Sequence, residues 1–181
     1  MVRFHGSDRQ YEQTSVSDSI AAVSTRVILR GPQMNGMAGE TSMRVRYGET
    51  DCMGRVYHAN YLRYFECGRV ELMRSWGFDY ARVEREERCF LPVIDAAVKY
   101  RAPAFFDDEV SVRTRVADYS IVRLTFAYEV RRVADDTLCA EGRTVLAAVD
   151  EAGEPRRLPQ DLRQFLETLE LPPERERRRR E

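Results

Sequence analysis

Residues 60–76, which read NYLRYFECGRVELMRSW, decide the fold because they form the one long amphipathic helix that the sequence predicts. Apolar residues recur at the 3.6-residue spacing of a helix face, at Tyr61, Phe65, Gly68, Leu72 and Trp76. Asn60 is placed to cap the start of this helix, and Gly77 is placed to end it in a left-handed conformation. The pattern therefore predicts a helix with one buried face.

Strand-like runs surround this helix, one before it and four after it. They cover residues 43–47, 90–100, 109–116, 121–131 and 138–150. Several of them alternate between apolar and polar side chains, which is typical of a strand with one buried face. The connections between the last three runs are short and rich in turn residues, which predicts antiparallel neighbours. A short second helix is expected over residues 79–87, and a last amphipathic helix opens at Pro159.

The order of these elements predicts the architecture. An antiparallel sheet must bury one apolar face, and helix 60–76 is the only predicted element large enough to cover it. We therefore expect an α+β hotdog fold over residues 41–171, in which a five-stranded antiparallel sheet wraps round one central helix and a C-terminal helix follows. Residues 1–40 are expected to be a flexible extension, with a weak strand or helix in the apolar patch 20–29. Residues 172–181 are expected to be a disordered charged tail.

Composition excludes several classes of protein. A length of 181 residues suits one domain with a core, and a formal net charge of −1 argues against a dedicated nucleic-acid binder. No segment approaches the roughly 20 apolar residues of a membrane span, and the N-terminus lacks the layout of a secretory signal. The four cysteines form no CxxC pair, so neither a metal site nor a cofactor is expected. A cytoplasmic protein with reduced thiols is the simplest interpretation.

The stretch from residue 47 to 66, YGETDCMGRVYHANYLRYFE, carries the candidate chemistry. Asp51 lies in a loop that leads into the long helix, where the backbone N–H groups of Tyr57, His58 or Ala59 are expected to be free. A carboxylate beside such donors is the minimum equipment for transferring an acyl group to water. The sequence has only two histidines and no G-x-S-x-G elbow, which argues against a Ser/His/Asp hydrolase.

This stretch resembles the signature of the 4-hydroxybenzoyl-CoA thioesterase superfamily, in particular its YbgC/FadM-type acyl-CoA thioesterases. The shared pattern is Tyr-x-Glu-Thr-Asp, Met-Gly, Val-Tyr-His-Ala-Asn-Tyr and Tyr-Phe-Glu, and the similarity extends from about Met43 to Leu169. The resemblance implies a hotdog fold, hydrolysis of acyl-CoA, and a homodimer or homotetramer with active sites at the subunit boundary. It places the family's catalytic Asp at Asp51 and its loop His at His58.

Each of these residues also has a simpler interpretation. Asp51 can be a turn residue that bonds its own backbone. His58 can orient the thioester or the water, or it can only pack and cap the helix. A nucleophilic role for Cys52 is disfavoured, because no base apart from His58 is at suitable spacing.

Substrate contacts are expected from the loop, from the helix and from cations. The loop and the helix supply the candidates Tyr47, Tyr57, Ala59 and Glu66. Glu66 lies near the position where another branch of the superfamily keeps a catalytic carboxylate, although it can instead pair with an arginine. The phosphates of CoA need cations, for which Arg123 and Arg143 are candidates by their position near strand ends.

Two other functions remain open on the predicted fold. One is a hydratase or dehydratase that acts on acyl-CoA or acyl-carrier protein, and the other is a non-catalytic module that binds acyl groups. Hydratases of this fold use a differently placed pair of His and carboxylate, so the Tyr-x-Glu-Thr-Asp loop favours hydrolysis.

Overall fold

The computed structural model describes residues 26–28, 37–169 and 171. Its strands are β1 (Arg26–Ile28), β2 (Ala38–Arg44), β3 (Val93–Tyr100), β4 (Glu109–Tyr119), β5 (Arg123–Arg132) and β6 (Thr137–Ala147). Its helices are α1 (Asn60–Ser75), α2 (Tyr80–Arg82), which continues as a π-helical turn over Val83–Glu87, and α3 (Gln160–Glu167). None of the helices in the described ranges is both long and apolar enough to cross a membrane.

The strands form one antiparallel sheet in the order β1-β2-β4-β5-β6-β3. Strands β2 to β6 are the five that the sequence predicted, and the short β1 adds a sixth at one end. At the opposite end, β3 pairs with β6 on one side, and its other edge faces no strand of the described chain. The predicted antiparallel sheet with a long helix is thus confirmed.

The first predicted strand is displaced, and its prediction over residues 43–47 is wrong in its bounds. Strand β2 ends at Arg44 and starts at Ala38, because its backbone pairs with β4 from Ala38 opposite Arg115 to Arg44 opposite Glu109. The sheet therefore begins before the predicted domain boundary at residue 41, and β1 falls in the apolar patch 20–29. Residues 1–25, 29–36 and 172–181, to which the predicted extension and tail belong, lie outside the described residues.

Helix α1 packs closely against the sheet. A Cβ atom at Gly68 would overlap the Thr114 hydroxyl and lie 2.9 Å from Val112 Cγ1, so the helix backbone rests directly on β4. The Phe65 ring is fully buried and stacks on Tyr128 of β5 with 4.3 Å between the ring centroids. This close packing fixes the position of the helix start relative to the sheet, which is where the candidate site lies.

The predicted start of α1 is wrong in its cap, whereas its predicted end is confirmed. Asn60 is not the N-cap: it is the first helical residue, with Ala59 before it, and its buried side-chain amide donates to the Glu49 carbonyl at 2.7 Å. The contact with a distant loop takes the side chain away from the helix backbone. Gly77 has a φ of +78°, which confirms the predicted left-handed end. Trp76, just before it, packs on Phe165 of α3 with 4.8 Å between ring centroids.

Candidate active site

The loop between β2 and α1 is a narrow hairpin closed by Asp51. The Asp51 N–H donates to the Arg55 carbonyl at 2.8 Å, and Asp51 Oδ1 accepts the N–H groups of Met53 at 2.8 Å and Arg55 at 3.3 Å. Gly54 makes the turn possible with a φ of +73°. Asp51 therefore does bond its own backbone, which is the simpler interpretation of this residue.

The same turn occurs a second time in the chain, at Asp150. Asp150 Oδ1 accepts the N–H groups of Ala152 and Glu154, both at 2.9 Å, and Gly153 has a φ of +83°. A turn of this kind therefore does not mark a catalytic residue by itself. It also leaves one carboxylate oxygen open, because Asp51 Oδ2 accepts no hydrogen bond from the residues that the structure describes.

Two backbone N–H groups are open at the start of α1. The expectation that the Tyr57 N–H is free is wrong, since it donates to the Glu49 carbonyl at 2.9 Å. The N–H groups of His58 and Ala59 have no acceptor among the described residues. The Tyr57 carbonyl accepts the Asn60 N–H at 2.9 Å, which orients the peptide that carries the His58 N–H. The first turn of the helix thus offers two fixed donors to an incoming oxygen.

Glu49 joins the loop to the helix. The sequence analysis included Glu49 in the Tyr-x-Glu-Thr-Asp pattern but predicted no contact for it. Its Oε2 atom accepts the Arg46 N–H at 2.9 Å and the Tyr64 hydroxyl at 3.0 Å. Its carbonyl accepts from Tyr57 N and from the side chain of Asn60. Burial, followed by the neighbouring Glu49 charge, raises the pKa of Tyr64 well above its ordinary value. The sequence signal for this contact is a pair of residues with polar groups, Asn60 and Tyr64, four positions apart on one helix face. The structure buries both, and buried polar groups need partners.

An aromatic cluster lies beside the open N–H groups. The His58 ring is 4.3 Å from the Tyr57 ring and 6.4 Å from that of Tyr100, which is itself 5.4 Å from Tyr61. The Tyr100 hydroxyl donates to the His58 carbonyl at 3.1 Å. Tyr100 ends β3, so a residue from the edge strand reaches the helix start. No role for Tyr100 was predicted from the sequence.

The remaining predicted residues of the motif are exposed. Tyr47 is 78% exposed and makes an edge-on contact with Phe106 at 5.6 Å. Glu66 is exposed on α1 and forms no ion pair with a described residue, so its predicted pairing with an arginine is not observed. Cys52 is an exposed free thiol, and the other three cysteines are also unpaired. These side chains leave a broad open surface round Asp51 in a single chain.

The two arginines proposed for the CoA phosphates do not lie beside Asp51. Arg143 is in the middle of β6, not near a strand end, and its guanidinium contacts Asp95 at 3.0 Å. Because side chains alternate along a strand and Gly142 faces α1, Arg143 points to the outer face. Arg123 opens β5, whose ten residues put it about 30 Å from the end nearest the loop. Neither arginine is thus close to the Asp51 loop of its own chain, and their contact with CoA phosphates stays a prediction; Arg46 and Arg55 are in the loop itself.

A cavity of about 490 Å³ lies at another place in the molecule. Its lining includes Tyr80, Phe90, Leu91 and Asp150, but neither Asp51 nor His58. It therefore belongs to the second turn described above and not to the carboxylate loop.

The hotdog sheet and the carboxylate loop at the start of its central helix point to one class of enzyme, the thioester hydrolases. The chain matches the family model of the thioesterase-like superfamily over residues 45–166, and it belongs to that superfamily. The chain is 32% identical to the acyl-CoA thioester hydrolase YbgC of Escherichia coli O6:H1 over 130 residues. This aligned region covers 71% of the chain and 96% of that relative.

Solved structures agree with this assignment. The hypothetical protein TT1821 from Thermus thermophilus is 39% identical, with a TM-score of 0.69 over 75% of this chain and 100% of that one. The DHNA-CoA thioesterase from Staphylococcus aureus is 32% identical, with a TM-score of 0.69 over 72% of this chain and 89% of that one. The predicted hotdog fold and thioester hydrolase class are confirmed.

Proposed function

We propose that the protein hydrolyses acyl-CoA thioesters to a free acid and CoA, with Asp51 as base or nucleophile and the N–H groups of His58 and Ala59 as the oxyanion site. One observation carries this proposal: the Asp51 carboxylate is anchored through Oδ1 with Oδ2 open, in a hairpin that leads directly to two open helix donors. The name of the relative YbgC, an acyl-CoA thioester hydrolase, supports the substrate class.

The chemistry needs little beyond these groups. As a base, Asp51 takes a proton from water while the water oxygen bonds to the thioester carbon. As a nucleophile, Asp51 itself bonds to that carbon, departure of the CoA thiolate leaves a mixed anhydride, and water then hydrolyses the anhydride to release the acid and restore Asp51. In both routes the carbonyl oxygen gains negative charge beside the N–H groups of His58 and Ala59. In both routes the tetrahedral adduct so formed collapses by breaking the C–S bond, and the electron pair leaves on sulfur as the CoA thiolate, which needs no strong acid.

The free edge of β3 supports a homodimer. Three apolar or aromatic side chains of this strand are exposed, Val93 by 43%, Ile94 by 50% and Tyr100 by 51%. An unpaired strand edge presents N–H and C=O groups that another strand can pair. A second copy at this edge would cover Tyr100, the residue that touches the helix start, so the site would lie at the subunit boundary.

The second Asp turn provides a matched control for the test. The variants Asp51→Asn and Asp150→Asn each keep an amide oxygen that can accept the turn hydrogen bonds, so the two turns are perturbed alike. We expect Asp51→Asn to lower kcat/KM by at least about 10²-fold, the scale of a positioned acid–base group, and Asp150→Asn to leave it within about twofold. The assay is thiol release from a panel of acyl-CoAs, followed with a thiol-reactive dye.

The other outcomes decide against the proposal in different ways. Equal rates for wild type and Asp51→Asn would remove Asp51 from the mechanism. No thiol release from any acyl chain, with retained binding of acyl-CoA, would identify a binding module. Addition or removal of water in an enoyl-CoA or hydroxyacyl-CoA without thiol release would identify a hydratase.

A further inference from the structure

We infer that Tyr100 is a positioning residue of the oxyanion site, which acts by donating its hydroxyl proton to the His58 carbonyl. The inference rests on the proposed function and names a residue outside the loop and helix that carry the site. Tyr100 does not reach the reacting atoms itself in this arrangement. It acts through the peptide group that joins His58 to Ala59.

The geometry of the peptide bond carries the first step. The His58 carbonyl and the Ala59 N–H belong to one rigid planar group, so a bond to the carbonyl fixes the direction of the N–H. The Tyr100 hydroxyl donates to that carbonyl oxygen at 3.1 Å, a shorter contact than the 3.4 Å from the Tyr61 N–H to the same oxygen. A donor on the oxygen also polarises the group and strengthens the N–H as a donor at its other end. The Ala59 N–H has no acceptor among the described residues, so this stronger donor is available to the carbonyl oxygen of a substrate.

Contacts on the other side of His58 complete the support. The preceding residue, Tyr57, has its N–H held by the Glu49 carbonyl at 2.9 Å. Residue 58 is thus held from one side by the loop and from the other by the end of β3. These two contacts hold the N–H groups of His58 and Ala59 in one orientation. Fixed donors of this kind are what stabilisation of a developing oxyanion requires.

The ring and the hydroxyl of Tyr100 make separate contacts. Its ring already packs edge-on against Tyr61 at 5.4 Å. The ring therefore accounts for packing, and the hydroxyl accounts for the contact with His58.

The variant Tyr100→Phe removes the hydroxyl and keeps the ring. Because the oxyanion forms only in the transition state, we expect kcat to fall about 5- to 20-fold while KM stays within about twofold. The loss is smaller than for deleting an oxyanion donor, since the N–H itself remains. Tyr119→Phe is the matched control, because Tyr119 ends β4 outside the site; its kcat should equal that of wild type.

An amide signal provides a readout that does not depend on activity. In ¹⁵N–¹H NMR spectra, the Ala59 resonance should shift in Tyr100→Phe and stay in place in Tyr119→Phe. An unchanged Ala59 signal, or an unchanged kcat in Tyr100→Phe with an active wild type, would overturn the inference and leave the proposed function intact. A wild type that releases no thiol from any acyl-CoA would overturn the proposed function, and the role of Tyr100 with it.

Discussion

Removal of the Glu49 carboxylate is expected to destabilise the fold and to disturb the site together. In Glu49→Ala, the hydrogen bonds from Arg46 N and from the Tyr64 hydroxyl are both lost. Tyr64 is only 2% exposed, so its hydroxyl is left buried without that acceptor. Bonds to a charged acceptor contribute about 1.5–3 kcal/mol each, and the partial exposure of Glu49 reduces this, so we expect the free energy of unfolding to fall by about 3 kcal/mol.

A double-mutant cycle separates the pair from the rest of the loop. Tyr64→Phe alone removes one donor and should cost about 1 kcal/mol, since Glu49 keeps its bond to Arg46. The double variant Glu49→Ala/Tyr64→Phe should then be more stable than the sum of the single changes predicts, by about 1–2 kcal/mol. Exposed Glu154 provides the control, because Glu154→Ala should change stability by no more than about 0.5 kcal/mol.

Urea unfolding followed by far-UV circular dichroism measures all four variants against wild type. We also expect kcat to fall at least about tenfold in Glu49→Ala, because small displacements of a reacting group are costly. A loss of stability in Glu49→Ala no larger than in Glu154→Ala, or a coupling energy of zero, would refute the role assigned to Glu49.

Two further predictions concern the packing between helix and sheet. A Cβ at Gly142 would lie 2.5 Å from the Ala97 carbonyl oxygen and 2.6 Å from the Phe65 ring, so Gly142→Ala should lower the free energy of unfolding by about 2–3 kcal/mol. Gly48→Ala, which enters open space, should be neutral in the same urea unfolding assay. Burial raises the pKa of Tyr128 from 10.0 to about 12, so the folded state holds its proton where the unfolded state loses it. Stability should therefore fall as pH rises from about 10 to about 12, by about 1.4 kcal/mol per pH unit for this group, and Tyr128→Phe should show a correspondingly smaller fall.

The parts of the fold that local periodicity determines were predictable. The 3.6-residue spacing from Tyr61 to Trp76 located α1, and the two-residue alternation located β4 and β5 within a few residues. The start of β2 was not predictable in this way, because residues 38–41 include Gly39 and Glu40 and show no apolar alternation. Pairing with β4 makes them a strand, and pairing is a long-range contact.

In the candidate site, too, local features were predictable from the sequence and long-range contacts were not. Asp51 and His58 follow from the motif, since both lie in one continuous stretch of sequence. The contact between Tyr100 and His58 spans 42 positions along the chain, and no local pattern reports it. The positions of Arg123 and Arg143 were not predictable for a related reason: charge alone does not say which face or end of the sheet a side chain occupies.

The open surface at Asp51 and the free edge of β3 can be explained together. In one chain the donors at His58 and Ala59 face solvent, where water competes with an oxyanion for them. In the proposed dimer, a strand paired with β3 lies against Tyr100 and covers the helix start beside it. Lower exposure to water strengthens every electrostatic interaction in the site, including the bond from Tyr100 to the His58 carbonyl. The edge strand would then connect assembly to catalysis, because the residue that orients the oxyanion donors is also the last residue of the strand that pairs.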